Sequence, residues 1–413
     1  MQGHDHTSVG ESLKNLPLLC FLTLSALAQT QEPVTLNQAI SAARANRPAF
    51  ESARLRVAQA QLSRRALGAF PTTRLLVGYT SDQEVGGSDE DLVLSQPIDI
   101  FGRVSAARAS GSALIGQAEA ELVSVAAEIQ AEVVTAYVEA ATSAEFVKTA
   151  ASIQDTFQRL YDATQLRVEG GAAAGVQLTR VGLELDQAKL RTRLRRSELQ
   201  ANLQRLASLI GATDTVSIST GMPDLPLPET TEAAVVRQRA DLLLLAADVR
   251  SAEADARVAR LGSMPELEIQ GRRSPWQQTD QRYGLRLQLA IPLIDYGKAR
   301  AETKAASTRA DAARRSLEDR TRMALGEIAA LKTELEAIQA QVRDYETLVL
   351  TAQQLVERLR PALTEQATTL LEVLDATRAL RDVEEGLVEA RQRLAQAQAR
   401  LLRATGQMIE VAP

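Results

Sequence analysis

Gln96-Pro97-Ile98-Asp99-Ile100-Phe101-Gly102-Arg103 and Ile291-Pro292-Leu293-Ile294-Asp295-Tyr296-Gly297-Lys298 are two versions of one stretch within a single chain. Pro97 and Pro292, Phe101 and Tyr296, and Gly102 and Gly297 share an offset of 195 residues. The same offset carries Leu92 to Leu287, Leu94 to Leu289, Glu132 to Glu327, Leu206 to Leu401 and Gly211 to Gly406. Upstream, Gly68 and Pro71 recur as Gly262 and Pro265 at an offset of 194. Proline fixes the backbone and glycine frees it, so matched pairs of both mark a duplicated fold rather than a shared composition. The repeats are read as 29–211 and 231–406, with a tail at 407–413. The intervening 212–230, with Pro223, Pro226 and Pro228, reads as a non-helical connector.

The hydrophobic period changes at each octet. Before it, the period is two. Segment 266–272 alternates strictly, and 283–291 puts Leu285, Leu287, Leu289 and Ile291 on one face with Arg286 and Gln288 on the other. In the first repeat, 72–80 carries Thr73, Leu75, Val77 and Tyr79 in phase, and 90–97 sets Leu92 and Leu94 against Asp91 and Ser95. After the octet, the period is that of a coiled coil. Ile328, Leu331, Leu335, Ile338, Val342, Tyr345, Val349, Ala352, Val356 and Leu359 alternate spacings of three and four, and Leu380, Val383, Leu387, Ala390, Leu394, Ala397 and Leu401 repeat the pattern on the way back. Leu122, Val125, Ile129, Val133, Ala136 and Ala140 do the same in the first repeat. Helical pattern runs from 102 to 169, which at helical rise is about 100 Å. Pro97, Gly102, Pro292 and Gly297 are therefore expected as structural strand-to-helix turns. The fold expected is mainly α with a small β part: two tandem repeats of helix, strand, strand, long helix and long helix.

Composition narrows the function. The chain has 413 residues, a net charge of −5 and only 3% aromatics, which suits thin, closely packed helices and gives no footprint for nucleic acid. Its two histidines, His4 and His6, and its single cysteine, Cys20, all lie in the first 20 residues. No G-x-x-x-x-G-K-[ST] or H-E-x-x-H motif occurs. No enzyme activity, cofactor or metal site is expected. The apolar run 16–28, LPLLCFLTLSALA, ends in Ala26-Leu27-Ala28 and reads as a signal peptide over 1–28, cleaved before Gln29. Bulky Leu19 argues against lipidation of Cys20. No later segment has 18 consecutive apolar residues. The exported chain is either free in the periplasm or embedded through β-structure. Nine-residue alternating strands suit a membrane barrel, and they suit a half-buried soluble sheet as well. Four strands cannot close a barrel around a lumen, so membrane-spanning strands would require several copies, and three would give twelve strands.

The two octets, the duplication in register and the opening Leu36-Asn37-Gln38-Ala39 resemble the TolC family of outer-membrane efflux proteins. The resemblance covers nearly all of the expected mature chain. It implies a homotrimer sharing a 12-stranded β-barrel in outer-membrane lipid, above a long α-helical periplasmic tunnel. It implies a passive exit duct for small molecules or metal ions, working with an inner-membrane efflux pump through a periplasmic adaptor (membrane fusion) protein. The turns between the long helices would form the periplasmic mouth. Gly170 and Gly171 match the family's adaptor-docking tip, whereas the second repeat has Glu365-Gln366 there. Glu365, Glu372 and Asp375 are the candidate periplasmic gate, since acidic rings attract cations at a constriction. Solvated helix charge is the competing explanation for all three. A periplasmic coiled-coil scaffold or pump adaptor is the alternative function.

Overall fold

The computed structural model describes residues 33–82, 87–214, 216–219, 221–223, 225, 226, 228, 231–273, 283–365 and 367–409. The signal-peptide reading, His4, His6, Cys20 and Gln366 lie outside them. Each repeat contributes four helices and two strands: α1 (Leu36–Asn46), α2 (Pro48–Leu67), β1 (Arg74–Asp82), β2 (Gly87–Ile98), α3 (Arg103–Glu169) and α4 (Gly175–Ile210) in the first, and α5 (Glu232–Gln238), α6 (Ala240–Gly262), β3 (Glu266–Arg273), β4 (Tyr283–Ala290), α7 (Lys298–Thr364) and α8 (Leu370–Thr405) in the second. α3 and α7 have 67 residues each, and α4 and α8 have 36 each.

One helix was expected before the first strand, and the structure has two. Pro48 sits at the first position of α2, where its missing N–H costs nothing but ends α1 at Asn46. A capping box starts α1: the Gln38 N–H donates to Thr35 Oγ1 at 3.3 Å, and the Thr35 N–H donates to Gln38 Oε1 at 2.8 Å. The α1 face of Ala39, Ile40 and Ala43 packs against Val133, Ala136 and Tyr137 of α3 and Leu206 and Ile210 of α4. The connector joins the same core through Val216 and Leu225, and Val34 forms a parallel bridge with Ile218.

The heptads of α7 are partitioned. Ile328, Leu335, Val342, Val349 and Val356 are buried, whereas Leu331, Ile338, Tyr345, Ala352 and Leu359 are half-buried. α3, its equivalent, is buried on more than one face: Ile129, Val133, Val134, Ala136, Tyr137 and Val138 are all covered. The two long helices thus have the same length and different amounts of company. Near the α3–α4 and α7–α8 turns, a second core joins Phe157, Leu160, Val181, Leu363, Leu370 and Val373, so both turns lie at one end of the helix bundle.

The strands form one antiparallel sheet in the order β1-β2-β3-β4. Leu75 faces Leu94, Leu94 faces Gly271, and Gly271 faces Leu285 across three ladders. Val77, Leu92, Arg273 and Tyr283 form the adjacent row on that face.

Candidate functional site

Register decides which face of the sheet is apolar. Directly paired residues share a face, so Leu75, Val77, Leu92, Leu94, Ile98, Leu267, Ile269, Leu285, Leu287 and Leu289 all lie on one side. That side is uncovered: Leu285 is 85% exposed and Leu287 is 68%. The opposite face carries Arg74, Ser95, Gln270 and Arg286 in one row and Glu268 and Gln288 in another. Leu76, Val93, Pro97 and Ala290 are apolar residues on that face, and Gln96 and Arg273 are polar residues on the apolar one. A soluble sheet hides its apolar face under helices, but among the described residues no helix does so. Among the described residues β1 and β4 each pair on one side only, which leaves two open edges.

The strand-to-helix turns are built alike with different residues. Gly102 and Gly297 precede α3 and α7 at φ 80° and 84°, the left-handed region that only glycine enters without strain. The Asp99 carboxylate accepts from the Arg103 and Val104 N–H groups at 2.8 and 2.7 Å, and Asp295 accepts from Gly297 and Ala299 at 3.0 Å each. Partial desolvation raises the Asp99 pKa, but its backbone donors outweigh that and hold it below the usual carboxylate value. The Gly297 and Ala299 donors lower Asp295 likewise. Pro97 still pairs with Glu268 inside β2, whereas Pro292 lies beyond the end of β4. Arg103 joins the repeats: it donates to the Leu261 carbonyl at 3.1 Å, to the Met264 carbonyl and to Glu266 at 2.5 Å.

At the far end, Gly170 and Gly171 close α3. The Gly171 N–H donates to the Val168 carbonyl at 3.0 Å and that of Ala172 to Arg167 at 2.8 Å, a Schellman arrangement with Gly171 at φ 70°. Both glycines are exposed. Ala367 donates to the Ala362 carbonyl at 2.9 Å in the corresponding turn. Glu365 is the exposed C-cap of α7. Glu372 is engaged: its carboxylate accepts from the Thr369 N–H at 2.9 Å and from the Thr368 hydroxyl, completing the α8 capping box. The Thr368 hydroxyl and then the Thr369 N–H hold its pKa below the ordinary glutamate value. Asp375 accepts from Arg378 at 3.1 Å, and Arg378 also binds Glu184 of α4. The three acids therefore lie along the α7–α8 turn and the start of α8, where Glu372 and Asp375 have side-chain partners and Glu365 is exposed at the C-cap. A group that sequence reasoning missed lies beside them. Arg159, Arg167 and Arg360, with Thr156 and Thr377, line a cavity of about 300 Å³. Burial and the neighbouring Arg159 lower the pKa of Arg360. These arginines come from α3 and α7, 193 or more positions apart, so no local motif announces them. Among the described residues no helix is long and apolar enough to cross a membrane, and no cluster could hold a metal ion.

Comparison with known proteins matches this geometry. The family described as outer membrane efflux protein matches residues 39–212 and again 234–407. The alkaline protease secretion protein AprF of Pseudomonas aeruginosa is 23% identical over 319 residues, covering 73% of this chain and 66% of AprF. Nodulation protein T of Rhizobium leguminosarum bv. viciae is 24% identical over 327 residues, covering 74% and 66%. The chain thus spans just under two-thirds of each of these relatives. Among solved structures, the outer-membrane channel OprN superposes with a TM-score of 0.74 at 22% identity, covering 90% of this chain and 89% of OprN. CusC, whose structures concern folding and transmembrane channel formation, gives 0.75 at 18%, covering 91% and 93%. Two family matches, covering both repeats, account for most of the sequence, and the chain belongs to the outer membrane efflux protein family.

Proposed function

We propose that this chain is the outer-membrane channel component of a tripartite efflux system. The observation that carries the reading is the uncovered apolar face of a four-stranded sheet with two open edges, continuous with 67-residue helices. In lipid, an apolar face is favourable and an open edge is not. Three copies joined edge to edge give twelve strands, a polar lumen and no edges. The helices continue that lumen as a periplasmic tunnel.

The chain acts as a passive duct. Small molecules or metal ions enter at the helix turns and diffuse out through the barrel, driven by an inner-membrane pump and a periplasmic adaptor. Gly170 and Gly171, exposed at the tip, are the proposed adaptor-docking point. Glu365, Glu372 and Asp375 make the mouth acidic and favour cations there. The scaffold or adaptor alternative accounts for the helices but leaves the uncovered sheet face without a purpose. Fractionation tests the two: the channel sediments with outer membrane and needs detergent for release, whereas recovery after osmotic shock alone would refute it.

A further inference from the structure

The chain contains one junction between successive repeats, and that junction is a template for the junction between successive copies. Inside the chain, α8 of the second repeat lies against α3 and α4 of the first. Beside the apolar core, two ion pairs link it to α4: Arg378 binds Glu184, and Arg191 lies 3.7 Å from Glu385. Advancing each residue by one repeat converts α4 into α8 and α8 into α4 of the next copy. Glu184 becomes Ala379 and Arg191 becomes Gly386, while Arg378 becomes Leu183 and Glu385 becomes Leu190. Every charged member of the internal junction is thereby replaced by an apolar or small residue.

The surface of the chain agrees with this mapping. Val176, Leu183, Leu190 and Leu194 are all exposed, and with Arg180 and Gln187 they fall at spacings of three and four along α4. Such a stripe is the seam of a coiled coil without its partner. α7 shows the matching deficit. Ile153 and Leu160 of α3 are 4% and 8% exposed against α8, but their equivalents Leu348 and Leu355 are 51% and 47% exposed. The mapping also brings Asp186 near Asp382, and each already has a basic neighbour, Lys189 at 3.6 Å and Arg381 at 2.6 Å.

We infer that the α4 stripe Val176, Leu183, Leu190 and Leu194 is covered by α7 and α8 of a second copy of this chain, with Leu183 over Ala379 and Leu190 over Gly386. The inference deepens the proposed channel by naming the residues of its helical seam, and it rests on that reading for the presence of neighbouring copies. The junction within a copy has ion pairs beside its apolar core, whereas that between copies is apolar packing alone, so added salt weakens the first more than the second.

Cross-linking tests the seam. In full-length protein with Cys20→Ser, Leu183→Cys with Ala379→Cys, treated in intact envelopes with a short bis-maleimide, is expected to run as covalent trimer on denaturing gels. Each single cysteine should remain monomeric on the same gel. Glu184→Cys with Arg378→Cys is expected to link within one chain and add no mass. A native-gel trimer whose Leu183→Cys and Ala379→Cys positions do not cross-link would overturn the seam while leaving the channel reading intact. A monomer on the native gel would overturn both. Should the paired variant not assemble, Leu183→Ser with Leu190→Ser serves instead: loss of the trimer on semi-native gels is expected, and wild-type trimer stability would contradict the seam.

Discussion

Gly406 shows how tightly single positions are set. It ends α8 at φ 75°, and a Cβ there would lie 2.4 Å from the backbone of Arg239. Gly406→Ala is expected to cost at least about 2 kcal/mol, from left-handed strain and backbone displacement together. Thermal unfolding followed by circular dichroism checks it. Glu372 yields a pH prediction. Its pKa is lowered in the folded chain, so its cap stabilises α8 above the ordinary glutamate pKa of about 4.3 and is lost as pH falls through the lower folded value. The difference in melting temperature between wild type and Glu372→Ala should be full at neutral pH and vanish in acid. A difference that persists at low pH would remove the carboxylate from the cap. The glycines of the turns were legible in the sequence because their spacing repeats. The capping aspartates were hidden, since Asp99 lies three residues before Gly102 and Asp295 only two before Gly297.

Elements with a clear period could be read before the structure was known. Strand phase was evident from Leu285, Leu287 and Leu289, and the heptads of α7 from Ile328 onward, because one buried face imposes one period. The division of those heptads into buried and half-buried sets could not be read, since it depends on which neighbours α7 has. The break between α1 and α2 did carry a signal, Pro48, that pattern reading passed over. The faces of the sheet make opposite predictions. Leu287→Asp should oppose membrane insertion by about 1–3 kcal/mol per copy, while Gln288→Asp, on the polar face, should insert normally. Outer-membrane yield of the two variants checks the assignment, and equal yields would contradict it.

Across the whole molecule, the sequence exposed the duplication but could not show what surrounds it. The arginine cavity near the helix turns depends on residues of both repeats meeting in space, and its positive charge opposes the acids beside it. If Glu372 and Asp375 set ion preference, replacing both with Ala should weaken cation selectivity in planar bilayers. Unchanged reversal potentials would assign them to capping and pairing alone. Bulky residues at Gly170 and Gly171 should reduce export without lowering trimer yield. The claim beneath these predictions is that sheets from three copies close one membrane cylinder. Native mass spectrometry of protein extracted in detergent from purified outer membrane measures this most directly. Three chains per particle is the expected result, and a single chain recovered from the soluble periplasm would contradict it.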